Sequence, residues 1–394
     1  MENKKTSVFS NSLIWFGAAI SISEIATGVL LAPLGFKKGV LAILLGHLIG
    51  CLLFYLAGLI GANTGKSSMD TVKISFGKQG TIVFSFLNIL QLVGWTAIMI
   101  VGGSIAANVI IDIGMWIWCI TIGLLIILWI LIGITNLGKI NVVAVSMLFL
   151  LTLYLSISLF SNNHSATIVE GSISFGSAVE LSVAMPLSWL PLISDYTRHA
   201  KSPKATTLAS TSSYFIASCF MYIIGLSFAI FMGTSDIAYI LKDFGLVALL
   251  IIVFSTVTTT FLDVYSAGVS SVSINKAFNE KVIAIVVTIL GVFLAIFAST
   301  SKFESFLYLI GSVFAPMIAI LITDYFIIKK DSSEKNVDYI NLLIWIAGFI
   351  LYRIFMNFNT PIGYTFPVMI IISVITILAN QLDNIIKLKG EQNV

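Results

Sequence analysis

The chain has 394 residues, 58% of them hydrophobic and only 10% charged, with a mean hydropathy of +1.05. A soluble domain carries about 25% charged residues, so this composition excludes one and describes a polytopic membrane protein. Lys and Arg number 21 against 18 Asp and Glu, which leaves no basic excess to hold nucleic acid. Cys51, Cys119 and Cys219 fall inside apolar runs and read as free buried thiols, and His47, His164 and His199 are too scattered for a metal site.

The N-terminal MENKKTSVFSNS is short and basic, and the apolar run after it, Leu13 to Phe36, has no small-residue cleavage pattern. The first span is therefore its own targeting signal. With about 20 residues per crossing, spans are expected at 13–35, 39–62, 80–110, 115–135, 140–160, 176–193, 207–232, 246–273, 282–299, 305–327, 339–356 and 364–382. Runs of this length are helices, because a crossing segment must satisfy its own backbone and barrel strands need only about ten residues. With the N-terminus in the cytoplasm, only Lys37, Lys38, Lys242, Lys302 and Arg353 lie outside, so both termini are expected to be cytoplasmic.

The longest loops are about 15 residues by the same span lengths, which excludes a catalytic domain or an ATP-driven motor. The loop after span two, within GANTGKSSMDTVKISFGKQG, is the one with internal structure to expect. It mimics a phosphate loop, but that motif requires glycine at position 60, which is Ile60.

Acidic residues inside spans carry the most information, since each costs about 2.5 to 3.5 kcal/mol at a helix centre on insertion scales. Glu24, Glu180 and Asp263 are so placed, whereas Asp195 and Asp324 sit at span ends near lysines and read as solvated. Glu24 lies among Ser21, Ser23, Thr27 and Gly28, the composition of an interrupted helix, with Gly28 as the loosening residue; hydrogen-bonding glue between helices is the alternative. Span six carries Pro186 and Pro191, each lacking an N–H, and Pro186 is expected to break it. Interruptions in spans one and six of twelve are what two five-helix repeats of opposite topology produce. Such breaks free carbonyls that suit a hard cation such as sodium.

In span eight Thr258, Thr259 and Thr260 precede Asp263, and their hydroxyls could face span one as cation ligands or bond back to their own helix. In span three Gln91 and Trp95 share a face, where an amide beside a flat apolar ring suits a planar heteroaromatic ligand. Trp116, Trp118 and Trp129 read as interface or packing residues.

The loop motif GANTGKSSMDTVKISFGKQG, the GWT of span three and the SDYTRHA after span six resemble the nucleobase:cation symporter-1 family along the whole chain. The resemblance implies the five-plus-five inverted-repeat fold of sodium-coupled amino-acid transporters. Residues 13–160 would form the first repeat, 176–327 the second, and 339–382 two further helices of a single domain. It also implies alternating-access import of a planar nitrogen heterocycle with sodium or protons. SISEIATGVLLAPLG is most similar to the CytX branch, associated with hydroxymethylpyrimidine, the pyrimidine precursor of thiamin. On this resemblance Trp95 stacks on the substrate, Gln91 and Glu24 bind it, and the carbonyls of Ile20 and Ser23 meet the cation. Asp263 stands where the family often has asparagine, which leaves the choice among Thr258, Thr259 and Thr260 open.

A carboxylate accepts from an exocyclic amine and, protonated, donates to a ring nitrogen. Glu24 and Asp263 are thus assigned the edge of the substrate, Trp95 one face, and Trp189 the other face or a gate. Glu180 is assigned to the outer vestibule or to tuning the charge of the site. No cofactor or obligate protein partner is expected beyond the substrate, the coupling cation and membrane lipid, and the location is the plasma membrane. The alternative substrate reading is a cytosine, purine or hydantoin symporter of the same family. A channel or an intramembrane enzyme is the competing class, but isolated carboxylates between two helix breaks fit occlusion better than a pore, and no nucleophile or metal spacing is present.

Overall fold

The computed structural model describes residues 5–133, 169–233, 245–297, 303–358 and 360–391, with short helical pieces between 142 and 157. Serine side chains start several helices by accepting a backbone N–H: Ser7 for α1 (Val8–Ala19), Ser21 for α2 (Ile22–Leu30) and Ser67 for α4 (Ser68–Ile110). Between them run α3 (Phe36–Thr64) and, after α4, α5 (Met115–Ile132). The second half contains α6 (Phe175–Ser188), α7 (Leu190–Thr197), α8 (Pro203–Ser227), α9 (Gly245–Ile274), α10 (Glu280–Phe297) and α11 (Phe303–Ile322). Two further helices close the chain, α12 (Tyr339–Phe355) and α13 (Thr365–Glu391).

Among the described residues nine helices are long and apolar enough to cross a membrane, and ten if α1 and α2 form one span. Helix α12 is apolar but has 17 residues. About half of the expected span at 140–160 lies outside the described residues.

Span one is bent by 51° between α1 and α2. The break falls at Ile20 and Ser21, where the backbone of Ser21 is extended (φ −141°) so that its hydroxyl can cap α2. Gly28 is therefore not the break. It lies inside α2, where a Cβ would sit 2.1 Å from the carbonyl oxygen of Tyr222, and Gly225 meets the carbonyl of Ile25 in the same way. The pair lets α2 and α8 touch backbone to backbone. Span six is interrupted at Trp189 rather than at Pro186, which stays within α6. Phe175–Thr197 still forms one 23-residue span, because Trp189 at the junction keeps right-handed helical angles (φ −87°, ψ −10°).

Helix α1 packs on α8, α3 on α6 and α7, and α4 on α9. In span numbers these are pairs 1–7, 2–6 and 3–8, a set that maps onto itself when the first five spans are exchanged with the second five. Trp15 is wholly buried where the halves meet, edge-on to Phe54, Tyr196 and Trp189 at 4.7, 5.4 and 5.5 Å. The loop expected to be structured is the first part of α4, set at an angle to the rest by Gly77 (φ 76°), where a side chain would strike the carbonyl of Lys335.

Asp195 and Asp324 are not solvated. They are 2% and 0% exposed; Asp195 accepts the N–H of Ser68 at 2.8 Å and Asp324 accepts from Asn341 Nδ2 at 2.7 Å. Each serves a donor of a neighbouring helix that would otherwise be stranded away from water. All three cysteines are free and buried.

Candidate functional site

The bend of span one faces a cavity shared with spans three, six and eight. Glu24 and Ser23 come from α2, Trp95 and Met99 from α4, Ser188 and Trp189 from the interruption of span six, and Thr259 and Asp263 from α9. The open space is about 10 Å³, room for roughly one water, so a heterocycle can occupy it only when the walls part.

The walls differ in how their polar groups are satisfied. Glu24 is 1% exposed and accepts from Tyr214 Oη at 2.8 Å and from Ser218 Oγ at 2.7 Å. Ser218 in turn lies 2.6 Å from His47 Nε2, and His47 Nδ1 lies 2.9 Å from the carbonyl of Ile43. Asp263 is 3% exposed and has no hydrogen bond or ion pair among the described residues. A buried carboxyl group without donors is costly unless a ligand supplies them.

The indole of Trp95 stands edge-on to Phe306 at 5.6 Å and Phe303 at 6.0 Å, which fixes its plane. Its Nε1 is buried without a partner. Gln91 lies just below the cavity rather than in its wall: its Nε2 donates to Asn88 Oδ1 at 2.7 Å and to the carbonyl of Ser188 at 3.4 Å, while its Oε1 is unpartnered. Asn88 continues the seam with bonds to Ser270 Oγ at 2.8 Å and to the carbonyl of Pro191 at 3.4 Å. This amide pair ties span three to span six on both sides of the interruption at Trp189.

Of the residues assigned to the substrate, Glu24, Trp95, Trp189 and Asp263 meet in one cavity, with Gln91 beside it. Glu180 does not join them. It is fully buried against the linker between α12 and α13, where Tyr352 Oη (2.6 Å), Thr365 Oγ1 (2.6 Å), and the N–H groups of Tyr364 (2.6 Å) and Thr365 (2.8 Å) converge on it.

Of the residues assigned to the cation, the carbonyl of Ile20 accepts from Ser255 Oγ at 3.2 Å. Ser23 donates to Met99 Sδ, and its carbonyl accepts from Thr27. Thr258 and Thr260 bond back to the carbonyls of Ser255 and Thr256, at 3.0 and 2.7 Å, so of the three threonines only Thr259 faces the cavity. The hydroxyls nearest the bend, Ser255 and Thr256, line a second small space with Ser21 and Ser23. They lie one turn before Thr259 and Thr260 and were not among the residues assigned to the cation above. Tyr214 and Ser218 went unrecognised too, although two hydroxyls four residues apart on span seven share a helix face and mark the partner of a carboxyl group.

A bent span one, an interrupted span six and a cavity between them define a membrane transporter built on paired repeats, with a candidate site at the helix interruptions. The chain belongs to the family of permeases for cytosine/purines, uracil, thiamine and allantoin, whose model matches residues 1–373, and so to the nucleobase:cation symporter-1 family. It is 22% identical to the cytosine permease of Escherichia coli K12 over 355 residues, 88% of this chain and 84% of that protein. It is 24% identical to the vitamin B6 transporter TPN1 of Saccharomyces cerevisiae over 351 residues, 80% of this chain and 60% of that one. In fold it is similar to Mhp1, a nucleobase-cation-symport-1 family transporter, in a closed conformation with bromovinylhydantoin bound: TM-score 0.82, 18% identity, 96% of this chain and 93% of that one. The inward-facing conformation of Mhp1 matches with a TM-score of 0.78 at 16% identity, over 96% and 92% of the two chains.

Proposed function

We propose that the protein imports a planar nitrogen heterocycle with an amino-substituted edge, hydroxymethylpyrimidine being the substrate that fits best, by cation-coupled alternating access. The observation that carries this reading is Asp263, a buried carboxyl group with no partner in a cavity walled by Trp95 and Trp189. An exocyclic amine would give Asp263 the donor it lacks, Trp95 would take one face of the ring and Trp189 the other, and Glu24, held by Tyr214 and Ser218, would meet the remaining edge.

Sodium is the proposed coupling ion. The carbonyls of Ile20 and Ser23 and the hydroxyls of Ser255, Thr256 and Thr259 are hard oxygen donors around the bend. Cation and substrate would enter from outside, close the cavity by drawing span six against spans three and eight, and leave inward when the Gln91 and Asn88 bonds to span six part. The protein would sit in the plasma membrane with both termini in the cytoplasm.

The test is accumulation of labelled hydroxymethylpyrimidine in proteoliposomes with and without a sodium gradient, competed by cytosine, purines and a hydantoin. Saturable, gradient-driven uptake that falls in Asp263→Asn and Trp95→Ala is the expected result. Equal uptake by those variants would remove the site, and flux that neither saturates nor accumulates would favour a channel.

A further inference from the structure

A cavity of about 220 Å³ lies far from the transport site, between the first turn of α12 and the end of α13, lined by Lys330, Lys335, Asp338, Tyr339, Asn380 and Asp383. Its loop is held rigid. Ser332 N donates to the carbonyl of Ile74, Asp338 N to that of Phe76, and Lys78 N and Gln79 N to those of Lys335 and Asn336. Two side-chain braces add to this, Lys66 Nζ to Ser333 Oγ at 3.5 Å and Lys78 Nζ to Glu334 at 2.8 Å. The site is therefore formed before any ligand arrives.

Two ammonium groups share a single carboxylate oxygen there: Lys330 Nζ and Lys335 Nζ lie 2.9 and 3.1 Å from Asp338 Oδ2, which also accepts from Ser332 Oγ at 2.9 Å. Each ammonium has three donors. One carboxylate oxygen cannot occupy all of them, so the pair keeps spare donors for an anion at this wall. The other wall, on α13, brings a second carboxyl group, Asp383, and the amide of Asn380.

The site thus presents positive charge at one wall and acceptors at the other. It lies on the membrane face that holds the N-terminal segment, since Thr6 N donates to the carbonyl of His199 just past α7, and Ser68 at the start of α4 donates to Asp195 near the end of α7. Tyr339 is 71% exposed and Leu343, one turn on, 66% exposed, so the cavity opens sideways at the level where tyrosines meet lipid headgroups.

We propose that this cavity binds the headgroup of a phosphatidylethanolamine-type lipid, the phosphate between Lys330 and Lys335 and the primary ammonium against Asp383 and Asn380. The loop it would occupy is hydrogen-bonded to the first part of α4, which also meets span six through Ser68 and Asp195 and span eight through Asp70 and Ser273. The lipid would therefore steady the segment that bridges the two spans.

The test uses the full-length protein and counts bound lipid by native mass spectrometry with phosphatidylethanolamine, phosphatidylcholine, phosphatidylglycerol and inorganic phosphate. Phosphatidylethanolamine should bind tightest, and Lys335→Gln and Asp383→Asn should each weaken it about tenfold, the loss of one charge-assisted hydrogen bond. Asp383→Asn separates this headgroup from a plain anion, whose binding would strengthen once the carboxylate is gone. Phosphatidylcholine or inorganic phosphate binding equally well, or tighter binding by Asp383→Asn, would overturn the proposal. Each variant's lipid-free unfolding temperature shows that it is folded, and the readout is independent of uptake, so it stands or falls apart from the transported substrate.

Discussion

Glu24 and Glu180 are the two glutamates buried inside the spans, and their surroundings assign them opposite work. Glu180 is met by four donors, two of them backbone N–H groups that have no other partner at the start of α13. Such a carboxyl group is fully answered by its own protein and has no valence to offer a ligand. Glu24 is met by two hydroxyls only and still lines a cavity. Asp263, across that cavity, is met by none. The lesson is that an acid in a membrane span marks function in proportion to the donors it lacks, because an answered carboxyl group is a fastener and an unanswered one waits for a ligand.

The sharpest way to break this contrast is to remove each acid and measure stability and uptake together. Glu180→Ala should lower unfolding stability by roughly 3 kcal/mol or more, since it strands several buried donors at about 1 to 3 kcal/mol each. The thermal unfolding of purified protein with and without the substitution is the measurement, and an unchanged midpoint would contradict the fastener role. Asp263→Asn should do the reverse, reducing uptake of labelled hydroxymethylpyrimidine about 10- to 100-fold, as expected for the loss of a hydrogen bond to a charged group, while leaving the unfolding temperature near that of the parent. A large fall in stability with normal uptake would reverse the two assignments.

The separation between these acids explains what was legible in the sequence. Hydrophobic run length sufficed for the all-helical architecture, and Ser21, Ser23 and Glu24 marked span one as interrupted, although the break was assigned to Gly28, seven residues past its place at Ser21. Asp263 was readable as a candidate because a carboxyl group is chemically out of place in a bilayer, whereas Trp95 became one only by sharing a helix face with Gln91 and through the family resemblance; the structure brings both to one cavity with Trp189. Glu180 looks the same by that criterion, and its partners at Tyr352, Tyr364 and Thr365 lie more than 170 positions away in the chain, so nothing local distinguishes it from Glu24. Gly28 misled for a related reason: glycine loosens a helix, but it also admits a neighbouring backbone, and only the approach of Tyr222 decides between the two. Asp195 and Asp324 looked solvated because they end spans, whereas the helix packed against each supplies a donor and shuts out water.

A finer comparison removes donors instead of acids. Tyr352→Phe deletes one of four bonds to Glu180, and Tyr214→Phe deletes one of two to Glu24. Each should cost stability by about 1.5 to 3 kcal/mol as a bond to a charged acceptor, or about 1 if the acceptor is neutral. Only Tyr214→Phe should alter the KM for uptake, because only Glu24 faces the cavity. A shift in KM for Tyr352→Phe as well would mean that the anchor of α12 and α13 reaches the transport site after all.

The smallest effect concerns a carboxyl group outside the spans, Asp338, which belongs with Glu180 as an answered acid. Burial by itself pushes its pKa up, but the Lys330 ammonium, the Ser332 hydroxyl and the N–H of Asn341 outweigh it and hold the group down from 3.8 to about 2. A carboxyl group depressed by folding binds its proton more readily when unfolded, so its contribution to stability is fully present above pH 3.8 and declines as the pH falls through about 2. Denaturant midpoints measured between pH 5 and pH 2 should therefore fall less steeply in Asp338→Asn than in the parent, the two curves approaching each other at the acid end. Parallel curves over that range would show that the lysines do not hold Asp338 as the donors around Glu180 hold theirs, and that satisfaction by geometry alone does not identify a fastening carboxyl group.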